Sequence, residues 1–386
     1  MAMCRKTGHI AIQKQNTEQL NLYIMLKIKN IFALGLLAVG AGSMMTSCND
    51  DWKEEQYANY ISFKAPLDPE GGLTSGVTTV YVPYTRLNSD MTPMFGREGV
   101  SNYKLPLIVA GSQNNPKTVT VNIEHSDTLD ILNVERFGHR EEIYYKDMSD
   151  FAEYSPKVTI PEGQNTALLD INLDFTKNGG FDLIDRYVLP LRIAQGAGYE
   201  RHPRKNYATA MLHILPYTDF SGIFSATNML YCISDENGDG ETAGMINVQT
   251  YACGQYDVFF YAGTNKETSL LRKNFRIYAH FTPDPDFEPG EDVIASGTVQ
   301  LYVNESENPE LDFKCDKIGT YKILESPDPV LNYVIRRTLV LQNIEYYYTD
   351  TKTAPGTSVT FKVFGGMTME RKLNTQMPEE DQIMWE

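Results

Sequence analysis

Alternation of apolar and polar residues with a period of two is the feature that most limits how this chain can fold. The run Thr118–Ile123 places aliphatic side chains on one side and polar side chains on the other, and Leu169–Phe175 and Tyr187–Ile193 repeat the pattern. A strand with one face on a core and one face in water has this period, whereas a surface helix repeats every 3.6 residues. The chain is therefore predicted to be all-β.

Turn-forming residues separate these runs and indicate two strand-built domains. Residues 59–217 predict an immunoglobulin-like β-sandwich, because short strands with frequent turn signals are typical of that architecture. One helix is expected over Asp130–Phe137, with Asp130 as its N-cap. Residues 218–386 contain longer alternating runs that can close on themselves, which predicts a small antiparallel up-and-down barrel; a second sandwich is the alternative. The runs of this second domain are 225–234, 244–251, 256–261, 275–281, 296–303, 336–348 and 359–364.

Residues 25–58 are interpreted as targeting sequence. Residues 25–47 start with a basic segment, continue with a short apolar run and end in small residues, as a secretory signal peptide does. Cys48 follows directly and makes the segment resemble a bacterial lipoprotein signal, whose cysteine is acylated and becomes the mature N-terminus. Residues 48–58 form an acidic tether similar to the signal that sends Bacteroidetes lipoproteins to the outer face of the outer membrane. Residues 1–24 are interpreted as a misassigned upstream start, and an ordinary signal peptide with a chance cysteine is the alternative.

The charge of the chain limits its expected partners. Removal of residues 1–47, which contain five Lys or Arg and one Glu, changes the formal net charge from −16 to −20. Nucleic acids and anionic membrane surfaces bind clustered Lys and Arg. Neither is therefore an expected partner, and attachment to a membrane is expected through the lipid alone.

The cysteine spacing argues against a disulfide framework and against a zinc site. The two domains contain three cysteines, Cys232, Cys253 and Cys315, without a Cys-x-x-Cys or His-Glu-x-x-His motif. Cys232 and Cys253 could pair across neighbouring strands, but buried free thiols are the preferred interpretation. We expect no cofactor and no structural metal.

One acidic segment partly matches a calcium-binding loop. Asp235, Asn237 and Asp239 place oxygen ligands at alternate positions, as the first half of an EF-hand loop does. The last position of such a loop requires a bidentate acid and is Ile246 here. A turn between two strands explains the same Asn, Asp and Gly residues and is the preferred interpretation.

The sequence favours binding over catalysis. The histidines of the two domains are scattered, and no nucleophile, base and orienting group occur at a recognisable spacing. Aromatic faces suit sugar rings, and the 24 tyrosines make such faces plentiful. Tyr346, Tyr348 and Trp385 are the candidate glycan-binding residues. Packing within a barrel wall is the alternative for the tyrosines, and Trp385 is expected to be either an exposed platform or a plug at the barrel end.

Three stretches carry a resemblance to a known family. They are Lys157–Gly163, Tyr187–Leu191 and Met369–Gln376, and together they resemble surface lipoproteins encoded in polysaccharide-utilisation loci of Bacteroidetes. In that family an immunoglobulin-like domain of formerly unknown function precedes a lipocalin-like barrel. The resemblance implies a surface glycan-binding protein that works beside an outer-membrane transporter complex. An adhesin or structural protein is the second hypothesis, and a cryptic glycoside hydrolase is the third.

Overall fold

The computed structural model describes residues 59–64, 76–111, 114–203, 205–290, 292–354, 356–377 and 382–385. The expected signal peptide, Cys48 and the acidic tether up to residue 58 lie outside these residues. The chain divides into two compact units, and every element below belongs to the unit formed by residues 60–110 and 114–386.

The first domain is a sandwich of two sheets. Its strands are β1 (Tyr60–Phe63), β2 (Thr78–Pro83), β3 (Val100–Val109), β4 (Val119–His125), β5 (Tyr145–Asp147), β6 (Ala152–Tyr154), β7 (Lys157–Ile160), β8 (Thr166–Asp174), β9 (Arg186–Ile193), β10 (Glu200–Arg201) and β11 (Thr209–Tyr217). One sheet has the order β10-β1-β3-β8-β6, and the other has the order β2-β11-β9-β4-β7 with β5 beside β9. The alternation along β4 is the predicted one, since Val121 and Ile123 are buried while Thr120 is exposed. The prediction of a sandwich is confirmed.

The helical interruption of the sandwich starts at a different residue from the predicted one. Helix α1 spans Leu129–Phe137, and Thr128 occupies the N-cap position, so Asp130 is not the cap. Asp130 instead lies in the first turn, where its negative charge interacts favourably with the positive end of the helix dipole. Helix α2 spans Lys205–Ala208. Short 3-10 turns occupy Glu141–Ile143, Ser149–Phe151, Lys177–Gly179 and Arg272–Phe275.

The second domain is a closed antiparallel barrel. Its strands are β12 (Gly222–Asp235), β13 (Gly238–Asp239), β14 (Ala243–Gly244), β15 (Asn247–Ala252), β16 (Asp257–Tyr261), β17 (Arg276–Pro283), β18 (Val293–Tyr302), β19 (Gly319–Pro327), β20 (Val334–Asp350), β21 (Val359–Asn374) and β22 (Ile383–Met384). Strands β12 and β15 to β21 pair in chain order, and the pairing of β21 with β12 closes a ring of eight. The short strands β13 and β14 add to β12, and β22 adds to β21. The prediction of a small up-and-down barrel is confirmed.

The barrel interior has an apolar core of its own, and rings on the outer wall of the barrel join the core of the sandwich. Tyr251, Phe259 and Tyr261, on the outer wall of β15 and β16, pack in the same buried cluster as the aliphatic interior of the sandwich. Burial of these rings removes large apolar areas from water and stabilises the contact between the domains. The junction is therefore a continuation of the core and not a hinge.

A fully buried arginine links the two domains through hydrogen bonds. The guanidinium of Arg272, just before β17, donates from Nε to the carbonyl oxygen of Ile184 at 2.9 Å and from Nη2 to that of Glu142 at 2.6 Å. A second arginine, Arg276, pairs from Nη1 with the carboxylate of Asp182 at 2.7 Å. Hydrogen bonds and ion pairs offset the cost of burying a guanidinium, so these contacts stabilise the junction between the two domains.

Within the described part of the chain, none of the helices has the length and apolarity that a bilayer span requires.

Candidate functional site

The interior of the barrel is filled with side chains. Its residual cavity has a volume of ≈ 10 Å³, which is about the space of one water molecule. Tyr346 and Tyr348 are part of this filling, with 1% and 5% of their surfaces exposed. Neither ring reaches solvent, so the prediction that these two tyrosines form an exposed sugar platform is wrong. A ligand of this barrel must bind to its outside.

Trp385 lies where the barrel meets the sandwich. Its ring stacks on Tyr81 of β2 with centroids 4.0 Å apart and meets Tyr217 of β11 edge-on at 4.8 Å. The guanidinium of Arg371 lies 5.6 Å from the indole centroid. With 41% of its surface exposed, Trp385 contributes to the contact between the domains and keeps part of its ring in solvent.

The candidate calcium ligands are used inside a hairpin. Asp235 accepts a hydrogen bond from the backbone N–H of Asn237 at 2.7 Å, which closes the turn between β12 and β13. Asp239 accepts from the hydroxyl of Ser234 and pairs with the ammonium of Lys362, both at 2.8 Å. The hydrogen bond to Asp239 raises the pKa of Lys362. The segment therefore forms the turn that was the preferred interpretation, and no group of three His, Cys, Asp or Glu suited to a metal occurs among the described residues.

The described cysteines are all unpaired. Cys232, Cys253 and Cys315 are free thiols in the structure. Of the two cysteines expected to be buried, Cys232 is buried and Cys253 is half-buried. Burial raises the pKa of Cys253 to about 12, and the negative charge of Asp257 adds to the effect. A thiol with such a pKa stays protonated and unreactive near neutral pH.

The pairing of β21 with both of its neighbours, β20 and β12, is irregular at the same level of the barrel. In β20 the residues Gln342 and Asn343 face the single residue Gly366 of β21, because the pairing shifts between Leu341 and Ile344. In β12 a second shift occurs between Ser225 and Asn228, again opposite this part of β21. Asn343 adopts a positive φ of 60°, a conformation that Asn tolerates better than most residues. Two bulges thus flank β21, and bulges are frequent next to functional sites.

Two consecutive glycines make this arrangement possible. A Cβ at Gly365 would lie 2.2 Å from the carbonyl oxygen of Asn228, and a Cβ at Gly366 would lie 2.6 Å from that of Leu341. The carbonyl groups of Asn228 in β12 and Leu341 in β20 therefore lie close to the backbone of β21, at the two positions where β21 has no side chain. The missing side chains leave a depression on the outer wall.

This depression, which we call the bulge groove, has a volume of ≈ 580 Å³. Small-molecule sites commonly measure about 300–1,000 Å³, so the groove is large enough for a ligand of that class. Its wall consists of Asn228, Lys317, residues 340–345 and residues 364–368. The strands that form the groove, β20, β21 and β12, differ from β15 and β16, whose outer wall packs against the sandwich.

The groove combines one aromatic ring with polar side chains. Phe364 is half-buried, and the ammonium of Lys362 lies 5.4 Å from its ring centroid. Asn228 and Asn343 provide exposed amides, each with donors and an acceptor. Lys317 and the carboxylate of Glu345 form an ion pair at 2.7 Å, so their charges cancel within the groove. Such a surface suits an uncharged ligand with many hydroxyl groups and an apolar face.

The groove residues were not among the predicted site residues, although the sequence contains one signal for them. The predicted strand 359–364 ended before Gly365 and Gly366, whereas β21 continues to Asn374. A glycine pair inside an otherwise alternating strand indicates a bulge or a close backbone approach. Because the glycine pair was interpreted as the end of the strand, the groove was not predicted.

Comparisons with known proteins agree with the fold. Residues 52–197 match DUF4973, a domain of unknown function, and residues 208–368 match a family of C-terminal domains. An auxiliary nutrient binding protein from Bacteroides thetaiotaomicron is 33% identical, and the match covers 80% of this chain and 96% of that chain with a TM-score of 0.71. A Bacteroides ovatus multidomain protein including DUF1735 is 30% identical, over 84% of this chain and 100% of that chain, with a TM-score of 0.69. None of the curated proteins matches the chain.

Proposed function

Because this chain belongs to the same family as the auxiliary nutrient binding protein of Bacteroides thetaiotaomicron, we propose that it is a non-catalytic protein that binds a nutrient glycan. The observation that carries the proposal is the bulge groove. A filled barrel with a built depression on its outer wall is suited to an extended ligand that no internal cavity could enclose.

The chemistry of the groove supports a sugar as the ligand. A pyranose ring has an apolar C–H face that packs on an aromatic side chain, and the ring of Phe364 provides such a surface. The hydroxyl groups of a sugar donate and accept hydrogen bonds, as the amides of Asn228 and Asn343 also do. Since Lys317 and Glu345 neutralise each other, the groove favours a neutral sugar over an acidic one.

The second part of the proposal places the protein at the cell surface. Acylation of Cys48 would anchor it in the outer membrane, with both domains outside the cell and an outer-membrane transporter complex as the partner. The support is the signal-like segment 25–47 and the acidic residues after Cys48. Labelling with a palmitate analogue tests this part, and Cys48→Ser is the matched variant. We expect label on the native chain and none on the variant; an unlabelled native chain would refute the anchor without affecting the groove.

Binding is tested by affinity electrophoresis of the full chain in gels containing soluble mannan, xylan, pectin, dextran or mucin. At least one polysaccharide should retard the protein. Phe364→Ala should weaken that binding about tenfold, because an aromatic contact and its buried area are lost. Asn343→Gly should also weaken it while preserving the fold, since Gly readily adopts the positive φ of this position.

Phe95→Ala is the matched control, because Phe95 is 40% exposed on a loop of the other domain. Equal retardation of Phe364→Ala and the native chain would place the ligand elsewhere. No retardation, together with co-purification of a membrane partner, would favour the adhesin or structural function. Release of reducing ends from a retarding polysaccharide would show a hydrolase.

A further inference from the structure

Two tyrosines on the outer wall of the barrel form a stack that the groove does not use. Tyr278 of β17 and Tyr302 of β18 face each other across the strands, with ring centroids 5.2 Å apart and planes 16° apart. Tyr302 is the outer member and keeps 40% of its surface exposed. Among the described residues, no second aromatic ring and no cationic group stacks on the ring of Tyr302. The stack therefore ends in an open aromatic surface.

The inner tyrosine is held rigidly by the barrel and by the junction with the sandwich. The hydroxyl of Tyr278 donates to the carboxylate of Glu307 at 3.1 Å, and the guanidinium of Arg276 lies 5.1 Å from its ring centroid. Arg276 itself pairs with Glu307 and with Asp182 of the sandwich. A ring that is fixed before binding loses little conformational entropy when a ligand packs on the stack.

Polar side chains lie beside the stack on the same wall. His280 follows Tyr278 by two residues and is paired with Gln300, which precedes Tyr302 by two, so all four side chains point outward. Both His280 and Gln300 are exposed. The ring nitrogen Nδ1 of His280 lies 2.8 Å from the carboxylate of Asp257. A neutral imidazole donates Nδ1–H to that carboxylate, which leaves Nε2 as a hydrogen-bond acceptor towards solvent.

Burial raises the pKa of the Tyr302 phenol to about 12, and the negative charge of Asp257 adds to the effect. The phenol of Tyr302 therefore stays protonated near neutral pH.

We propose that Tyr278, Tyr302, His280 and Gln300, here called the tyrosine ledge, form a second glycan-contact surface that binds one sugar ring on Tyr302 and its hydroxyl groups on His280 and Gln300. This inference rests on the proposed function, because it assumes that the ligand is a glycan. The ring of Tyr302 takes the apolar face of the sugar, and the imidazole and the amide accept and donate at its edge.

The ledge and the bulge groove are separate sites. The ledge lies on β17 and β18, whereas the groove lies on β20, β21 and β12, and β19 lies between β18 and β20. No described residue belongs to both. A polysaccharide that is long enough, or two chains, can therefore occupy both surfaces, and each site can be removed without altering the other.

The test uses the full chain and the same five polysaccharides in affinity electrophoresis. Tyr302→Ala should weaken binding of the retarding polysaccharide about three- to tenfold, the range expected for loss of one aromatic contact. Tyr302→Phe should bind nearly as well as the native chain, because it retains the ring. Tyr207→Ala is the matched control, since Tyr207 is 37% exposed and also has one aromatic contact, with His202. Melting temperatures of all variants show whether the fold is intact.

The outcomes distinguish the ledge from the proposed function. Weaker binding of Tyr302→Ala with unchanged Tyr302→Phe and Tyr207→Ala supports the ledge. If Phe364→Ala weakens the retardation and Tyr302→Ala leaves it unchanged, the ledge is overturned and the glycan-binding function is still supported. If no polysaccharide retards the native chain, both proposals are overturned together.

Discussion

Replacement of Gly365 by alanine tests the physical origin of the bulge groove. Gly365 has a φ of 135°, where a side chain is strained, and its Cβ would lie 2.2 Å from the carbonyl oxygen of Asn228 and 2.9 Å from the Cα of Met229. Both contacts are with backbone, so no flexible side chain can move away. β12 must shift from β21, or β21 must distort, before an alanine can be accommodated.

The magnitude follows from two separate costs. The unfavourable φ costs about 1–3 kcal/mol, and forcing an extra methyl group into a closed site costs about 1–3 kcal/mol. Gly365→Ala should therefore lower the free energy of unfolding by about 2–6 kcal/mol. Gly163→Ala isolates the first cost, because Gly163 has a φ of 79° and nothing within 4 Å of its Cβ position. Gly244→Ala, with no positive φ and open space, should stay within about 0.5 kcal/mol of the native chain.

Urea denaturation of the three variants measures these differences, with the slope of the transition checked for constancy. The expected order of stability is Gly244→Ala, then Gly163→Ala, then Gly365→Ala. Equal destabilisation by Gly365→Ala and Gly163→Ala would show that the close approach of β12 and β21 has no energetic consequence. The glycine would then matter only for its φ, and the close approach of the two backbones would not be the origin of the bulge groove.

Three further predictions concern the junction and the thiols. Arg272→Met should lower the free energy of unfolding by about 3–5 kcal/mol in urea denaturation, because buried carbonyls of the sandwich lose their donor; an effect below about 1 kcal/mol would contradict this role. The pKa of Asp185 is lowered although burial raises it, because hydrogen bonds from Lys146 and Lys273 outweigh the burial. The stabilisation that the Asp185 carboxylate provides is therefore fully present above its ordinary pKa of 3.8 and is lost as the pH falls below that value. Asp185→Asn should lower the free energy of unfolding at pH 7, and the difference between the variant and the native chain should become smaller near pH 3. Alkylation with iodoacetamide at pH 8, followed by peptide mass spectrometry, should leave Cys253 unmodified in the native state and modify it in urea; rapid native labelling would show an exposed thiolate.

The fold was predictable because the alternation is local. Runs such as Thr118–Ile123 indicate which face of a strand is buried. The order of the strands in the barrel follows from short antiparallel connections. The starting residue of α1 was not predictable to this accuracy, since Thr128 and Asp130 are both acceptable cap residues.

Tyr346 and Tyr348 point into the barrel because a bulge reverses the faces of β20. Before the bulge, Leu339 and Leu341 point inward; after Gln342 and Asn343, the inward residues are Ile344, Tyr346 and Tyr348. One additional residue therefore moves every later side chain to the other face. Without the bulge, the two selected tyrosines would have faced outward. A single sequence gives the alternation but not the extra residue, unless the glycine pair opposite it is recognised.

The solid interior of the barrel has a consequence for how such proteins diversify. Each inward side chain is locked against several others, so an exchange there disturbs the whole ring. The outward side chains beside Gly365 and Gly366 are not packed in the barrel interior, so each can be replaced without disturbing the others. A change of ligand preference therefore requires exchanges on the exterior alone and leaves the packing inside the barrel unaltered.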